Sequence, residues 1–439
     1  MRKTTAAAVL ILLCSMAYAG NWPGWRGPGE LGISEEKGIP VNWDIAKNVK
    51  WKAEVPGLGH SSPIVWGNRV FVTTAVSSNP EDDHWEKGFP RTSQGGPNAS
   101  EISWKVLCFD RDTGKLLWEQ TAIRKKPEHG RQTKNSYASQ TPVTDGTYVF
   151  AFFGSEGMYC YDFQGKLIWS KNLGSFTMRN EWGTGSSPVL YKDLVIQTCD
   201  QETGGSFIVA LDKKTGDTKW KMDRNEQSSW STPYLYLQGA RPELVVNATN
   251  AVRSYDPATG KLLWECRGPA TSITTPTPTF SNGLIIVSSG FVAEPVRPIT
   301  AFRPGATGDI TLKEGETKSR YIAWRQRTAA PYIPSPIAYG DYIFVVFDQG
   351  FISCYDAKTG KEIYGKTRIA VGASFSASPV AVDGKLYCMS EDGDVYVIRA
   401  GPKYELLAKN SLGEGMMASP AVSDGKMFVR TIKHLYCIQ

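Results

Sequence analysis

The chain has 439 residues, of which 41% are hydrophobic, with 43 glycines, 26 prolines and a formal charge of +6. The charge falls to +4 once Arg2 and Lys3 are set aside, and the basic residues do not cluster beyond Arg124-Lys125-Lys126, which excludes a nucleic-acid surface. Four histidines without metal-ligand spacing exclude a histidine-based metal centre, and the sequence holds no Gly-x-Ser-x-Gly elbow, Walker loop or His-Glu-x-x-His phrase.

In chain order, residues 1–19 come first. Arg2-Lys3, the apolar run Ala6 to Leu13 and the small-x-small triplet Ala17-Tyr18-Ala19 read as a secretory signal peptide cleaved after Ala19. The apolar run is too short to span a bilayer. Leu13 stands where a lipid anchor on Cys14 would need a small residue. The expected location is therefore periplasmic or secreted, as a monomer without a transmembrane segment. An N-terminal extension over 20–47 follows, and then a lone strand at about 48–55, Asn48-Val49-Lys50-Trp51-Lys52-Ala53-Glu54-Val55.

From there one unit repeats. Each copy opens with Ser/Thr-Pro and a short apolar run, at Pro63, Pro142, Pro188, Pro233, Pro278, Pro336, Pro379 and Pro420. Eight starts give eight repeats. Two wide intervals are expected to hold insertions, at about 77–104 and 291–322. Asp145-Gly146, Asn282-Gly283, Asp383-Gly384 and Asp424-Gly425 follow the first apolar run and predict a tight hairpin, because Gly accepts the positive φ of such turns. Further along, Asp-x-x-Thr-Gly-x-x-x-Trp recurs at Asp110–Trp118, Asp212–Trp220 and Asp256–Trp264, with worn copies at Asp162–Trp169 and Asp356–Tyr364. Its Asp is placed to accept backbone N–H bonds and its Gly to take the left-handed position.

Four short strands per unit predict an all-β, eight-bladed β-propeller of four-stranded antiparallel blades. A lone four-stranded sheet cannot bury both faces, so blades must stack. Trp51, Trp118, Trp169, Trp220, Trp264 and Trp324 are the expected blade-docking residues; Tyr364 and Ala408 take that place in later repeats. The last repeat ends at Gln439 without a fourth strand. The strand at 48–55 is expected to supply it and close the ring over 48–439.

Seven cysteines remain beyond Cys14. Cys108, Cys160, Cys354 and Cys437 share one place near the end of the third strand. Equivalent sites in different blades lie too far apart to bridge, so they read as small buried packing residues. No Cys-x-x-Cys-His occurs, so c-type haem is not expected.

Ala210-Leu211-Asp212…Trp220 and Tyr255-Asp256…Trp264 resemble the tryptophan-docking motif of quinoprotein propellers, and over about 48–439 the chain is similar to the pyrroloquinoline-quinone-like repeat family. Trp22-Pro23-Gly24-Trp25-Arg26-Gly27-Pro28-Gly29, Asn135–Ser139 and Lys433–Cys437 resemble a branch of exported bacterial proteins. The resemblance implies one of two classes. Quinoprotein dehydrogenases of alcohols or sugars carry a quinone over the channel, a calcium ion and a catalytic Asp. Non-catalytic scaffolds include the propeller lipoprotein of outer-membrane β-barrel assembly. The adjacent Cys-Cys pair that commonly grips the quinone does not occur here. The reading is thus an exported scaffold in the bacterial cell envelope that binds proteins or peptides, with no catalytic residue, cofactor or metal. The alternative is a dehydrogenase dependent on pyrroloquinoline quinone and calcium, and the third reading is a carbohydrate-binding propeller.

The functional face of a propeller lies where the blade-to-blade loops meet the loops between second and third strands. Here those loops carry His60, Asn135, Tyr137, Glu181, Trp182, Trp230 and Tyr332, and Glu156, Asp200, Asp348 and Glu391. Aromatics, amides and a few carboxylates suit a ligand or peptide; the same residues could equally plug the channel. Glu391-Asp392-Gly393-Asp394 is acidic enough for calcium but is expected to be a turn. Glu81-Asp82-Asp83-His84 is read as a solvated loop, with a partner-binding flap as its alternative. Asn98-Ala99-Ser100 and Asn247-Ala248-Thr249 match the glycosylation pattern by chance.

Overall fold

The computed structural model describes residues 20–88, 95–96, 100–268 and 271–439. The expected signal segment and Asn98 lie outside them. Eight antiparallel sheets follow one another round a ring. Blade 1 comprises Ile64–Trp66, Arg69–Ser77, Ile102–Asp110 and Leu116–Lys125. Blades 2 to 7 repeat that order from Val143, Val189, Tyr234, Thr279, Ile337 and Val380. Blade 8 is Ala421–Ser423, Lys426–Arg430 and His434–Ile438, completed by Val49–Glu54, whose Trp51 stands opposite Cys437. The eight-bladed propeller and its strand closure are as expected.

The Trp-docking device joins consecutive blades. Each indole lies on the third-to-fourth-strand turn of the next blade. A Cβ built on Gly114, Gly165, Gly216, Gly260 or Gly360 would come within 2.8 Å of Trp51, Trp118, Trp169, Trp220 or Trp324 respectively. All five glycines have φ between +71° and +86°. The indole N–H donates to a carbonyl of that same turn: Trp118 to Phe163 and Trp169 to Lys213, each at 3.0 Å. Opposite each Trp stands a small residue, Cys108, Cys160, Ala210, Ser254, Ala301 or Cys437. That explains the repeating cysteine. It leaves the ring room to lie flat across the blade.

Trp264 departs from this scheme. It stacks on Phe302 of blade 5 with ring centroids 5.2 Å apart, but its N–H donates to Glu243 of its own blade at 2.6 Å. The turn that should receive it is replaced by a long segment. That interval also corrects the expected insertion at 291–322: Ile299–Phe302 is the third strand of blade 5, and the extra chain is 303–321. Gly308–Asp309 of this segment pairs in parallel with Trp264 and Glu265, adding a fifth strand to blade 4. In blade 1 the extra chain is 78–101, since strands reach Ser77 and resume at Ile102.

The N-terminal extension plugs the channel from the hairpin end. Trp22 exchanges backbone hydrogen bonds with Val65 of blade 1, and Thr144 of blade 2 donates to the Pro23 carbonyl. Ala381 of blade 7 donates to Gly32, and Ile33–Ser34 runs parallel to Val380–Val382. A Glu30 carboxyl oxygen accepts from the Leu235 N–H of blade 4, and the Glu36 carboxylate accepts from the Asp424 and Gly425 N–H groups of blade 8. First strands are the inner edges of the blades, and the segment covers donors they would otherwise leave open.

Candidate functional site

The Ser/Thr of each Ser/Thr-Pro phrase sits where its strand enters the channel. A residue before proline is held extended, and here its N–H points to the neighbouring blade. Ser62 N–H donates to Thr141 Oγ1, Thr141 to Ser187 and Ser187 to Thr232, at 2.9–3.0 Å. Thr277 donates to Ser335, Ser335 to Ser378, Ser378 to Ser419 and Ser419 back to Ser62, at 2.9–3.1 Å. Seven links of an eight-membered ring are therefore closed by hydroxyl groups. At the eighth, between Thr232 and Thr277, the Thr277 hydroxyl accepts from the Trp25 indole at 2.9 Å instead. Every ring hydroxyl is an acceptor, and among the described residues none donates to a protein atom.

Above this ring lies a cavity of about 200 Å³. Trp25 forms its floor. His60, Asn135, Trp182, Trp230 and Tyr332, five of the expected site residues, line its wall together with Gln132 and Lys134. Trp182 and Trp230 pack with centroids 5.9 Å apart, and the Trp230 indole is held by the Gly183 carbonyl at 2.7 Å. The Asn135 amide donates to the Trp182 carbonyl at 2.7 Å, which fixes the wall's orientation. Burial, with Arg430 and Arg131 nearby, pushes the His60 pKa down to about 3, so its imidazole is neutral at physiological pH.

The carboxylates expected on this face do not converge. Glu391 is buried and binds Lys134 at 2.7 Å, the Ser376 hydroxyl at 2.6 Å and the Gly88 N–H at 2.6 Å. Asp348 is buried nearby, and desolvation raises its pKa. Asp200 is locked against Arg224 at 2.7 Å with both side chains fully buried. Glu181 holds the Gly130 N–H, a loop-fastening role. Tyr137 and Glu156 border a separate small cavity, where burial raises Glu156 to about 7. Asp392 and Asp394 pair with Lys87 and Lys409 around Gly393 at φ +91°, so this stretch is a turn. Asn247 is fully buried, its amide spent on the Pro276 and Ser288 carbonyls.

The donor set does not fit a calcium-bound quinone. Among the described residues no group of three or more His, Cys, Asp or Glu could hold a metal ion. Lys134, the one cation among the described lining residues, is already neutralised by Glu391, so a ligand with several carboxylates would meet little compensating charge from them.

Sequence reasoning missed Trp25, Lys134 and the hydroxyl ring. The ring was visible as a Ser or Thr before every repeat proline, but its meaning depends on eight strands converging. Trp25 stood in a noted phrase without a partner.

The model of the family described as outer membrane protein assembly factor BamB matches residues 104–241 and 208–438. The outer membrane protein assembly factor BamB of Burkholderia pseudomallei (strain K96243) is 34% identical over 102 residues, 23% of this chain and 25% of that protein. The polyvinylalcohol dehydrogenase of Sphingopyxis sp. (strain 113P3) is 25% identical over 178 residues, covering 35% of this chain and 27% of that protein. The chain thus spans about a quarter of the length of these curated relatives. Among solved structures, BamB from Moraxella catarrhalis superposes with a TM-score of 0.55 at 13% identity, covering 80% of this chain and 96% of that one, a likeness of fold.

Proposed function

The chain belongs to the family of the outer membrane protein assembly factor BamB, and from that premise we propose that it is a non-catalytic scaffold of the bacterial cell envelope. One observation carries the reading against the dehydrogenase alternative. Among the described residues the channel is floored by the chain's own Trp25 and lined by neutral hydroxyls and amides, with the single lining cation paired, which is poor ground for a metal-bound quinone. A rigid ring with a broad loop face suits the binding of a partner, and the family's name supports a protein of outer-membrane assembly as that partner. Residues 82–87 form part of the rim. Arg131 donates to the Asp82 and His84 carbonyls at 2.6 and 3.0 Å, and Lys87 pairs with Asp392. Export by the segment 1–19 completes the proposal.

The test is co-purification from envelope extracts with the full chain and with a variant in which 80–99 is replaced by a short Gly-Ser linker. Recovery of outer-membrane assembly proteins by the full chain, weakened by the replacement, supports the reading. Recovery of none by either form counts against it. Dye-coupled oxidation of an alcohol or aldose after adding quinone and calcium overturns it.

A further inference from the structure

We propose that the channel cavity is a binding site for one neutral saccharide ring. The proposal goes beyond the scaffold reading, and either can fail alone.

The hydrogen-bonding inventory points to the ligand. Six of the ring residues, among them Thr141, Ser187 and Thr232, line the cavity. Each ring hydroxyl accepts one bond from a protein N–H, seven from backbone amides and that of Thr277 from Trp25. A hydroxyl has one proton to donate, and none of these protons is used within the described protein. An O–H whose oxygen already accepts is polarised into a better donor. The cavity therefore presents a crown of donors seeking acceptors. Sugar oxygens, each able to accept and to donate onward to a side-chain amide such as Gln132 or Asn135, match that crown. A peptide brings an N–H with nearly every carbonyl and would find few acceptors.

Charge narrows the class. Among the described residues no Asp or Glu lines the cavity, so a cationic ligand finds no counter-ion in that lining. Lys134, the one cation among the described lining residues, is held by Glu391 at 2.7 Å, which leaves that lining little positive charge for an anion. His60 is neutral. The apolar surface is mainly aromatic, with Trp25 beneath, Trp182 and Trp230 at the side and Tyr332 beyond, filled in by Ile273, Ile333 and Met417. Flat faces of this kind cover the apolar C–H face of a ring while hydroxyls and amides take its edge. At about 200 Å³ the cavity is large enough to take one ring-sized ligand.

The test is tryptophan fluorescence and calorimetry on the full chain with glucose, galactose, mannose and N-acetylglucosamine, beside glucuronate and tri-alanine. We expect saturable binding of at least one neutral sugar. Thr232→Val, which removes a donor from the crown, should weaken it at least tenfold. Gln132→Leu should weaken it by a similar factor and keeps the test sound if the ring variant folds poorly, since no ring bond depends on that side chain. Trp118→Phe, on the outer rim, should leave it unchanged. Absence of binding by every neutral sugar overturns the proposal, as does affinity undiminished in Gln132→Leu, or binding of glucuronate or tri-alanine alone. Co-purification of assembly proteins with Gln132→Leu is measured in parallel; its survival or loss reports on the scaffold and leaves the sugar titration to stand by itself.

Discussion

Replacing Gly216 by Ala tests the docking device directly. Gly216 has φ +76°, and a Cβ there would lie 2.8 Å from both Cδ2 and Cε3 of Trp169, itself buried between blades 2 and 3. Two costs arise. Holding an L-residue in the left-handed region costs about 1–2 kcal/mol. Wedging a methyl under an indole that cannot retreat adds about 1–3 kcal/mol, as overpacking does elsewhere. The expected destabilisation is therefore ~2–5 kcal/mol. Gly283→Ala isolates the first cost, because φ is +77° and nothing lies within 4 Å of the new Cβ. It should lose only about 1–2 kcal/mol. In a Trp169→Leu background the steric part of Gly216→Ala should vanish, a coupling of about 1–3 kcal/mol between neighbours. Urea unfolding followed by circular dichroism measures the four variants beside the wild type, with stability read from midpoints at constant slope. Equal losses for Gly216→Ala and Gly283→Ala, or simple additivity with Trp169→Leu, would refute the claim that the indole is clamped on that turn.

Three further outcomes follow from the channel. Ser378→Ala removes the acceptor for the Ser335 N–H and should cost about 1–3 kcal/mol, whereas Ser378→Thr keeps the hydroxyl and should cost less; urea midpoints decide. Glu391→Gln leaves the buried Lys134 ammonium without its counter-charge and should cost about 3–5 kcal/mol, more than the double replacement Lys134→Met with Glu391→Gln. Glu30 is only partly covered as a residue, yet its carboxyl group is enclosed at the channel mouth, and that burial raises its pKa to about 8. A carboxyl raised in the folded state holds a proton that the unfolded chain has released, so its contribution is full below about pH 4.5 and is lost as pH rises toward 8. Stability should fall more steeply across that window in the wild type than in Glu30→Gln, and parallel curves would dismiss the assignment.

Much of this architecture was legible before folding. The recurrence of Ser/Thr-Pro set the count of blades, and Asp-Gly and Asn-Gly set three of the hairpins. There Asn282, Asp383 and Asp424 take positive φ together with the Gly that follows each. Asp145 does not, because its turn is one residue longer, between Val143–Thr144 and Tyr148–Phe152. These features are local: φ preference and side-chain-to-backbone bonds act over a few residues, so a short phrase encodes them. The closing strand was legible for a related reason, since a fourth strand missing at one end and spare at the other leaves only one pairing.

The site was legible in part. His60, Asn135, Trp182, Trp230 and Tyr332, all singled out by loop position, line one cavity. Asp200 and Glu391 were on the same face in sequence terms, but Arg224 and Lys134 consume them, and no spacing announces a partner 24 or 257 residues away. Trp264 carried the full docking phrase and still turned to Glu243, because the receiving turn of the next blade had been replaced. By itself the sequence determined the repeat, the turns and the closed ring, each written in short-range chemistry. The tertiary structure alone decided that Trp25 closes the channel and that eight hydroxyls face one another across it. Those contacts join residues from every part of the chain and exist only once the ring has shut.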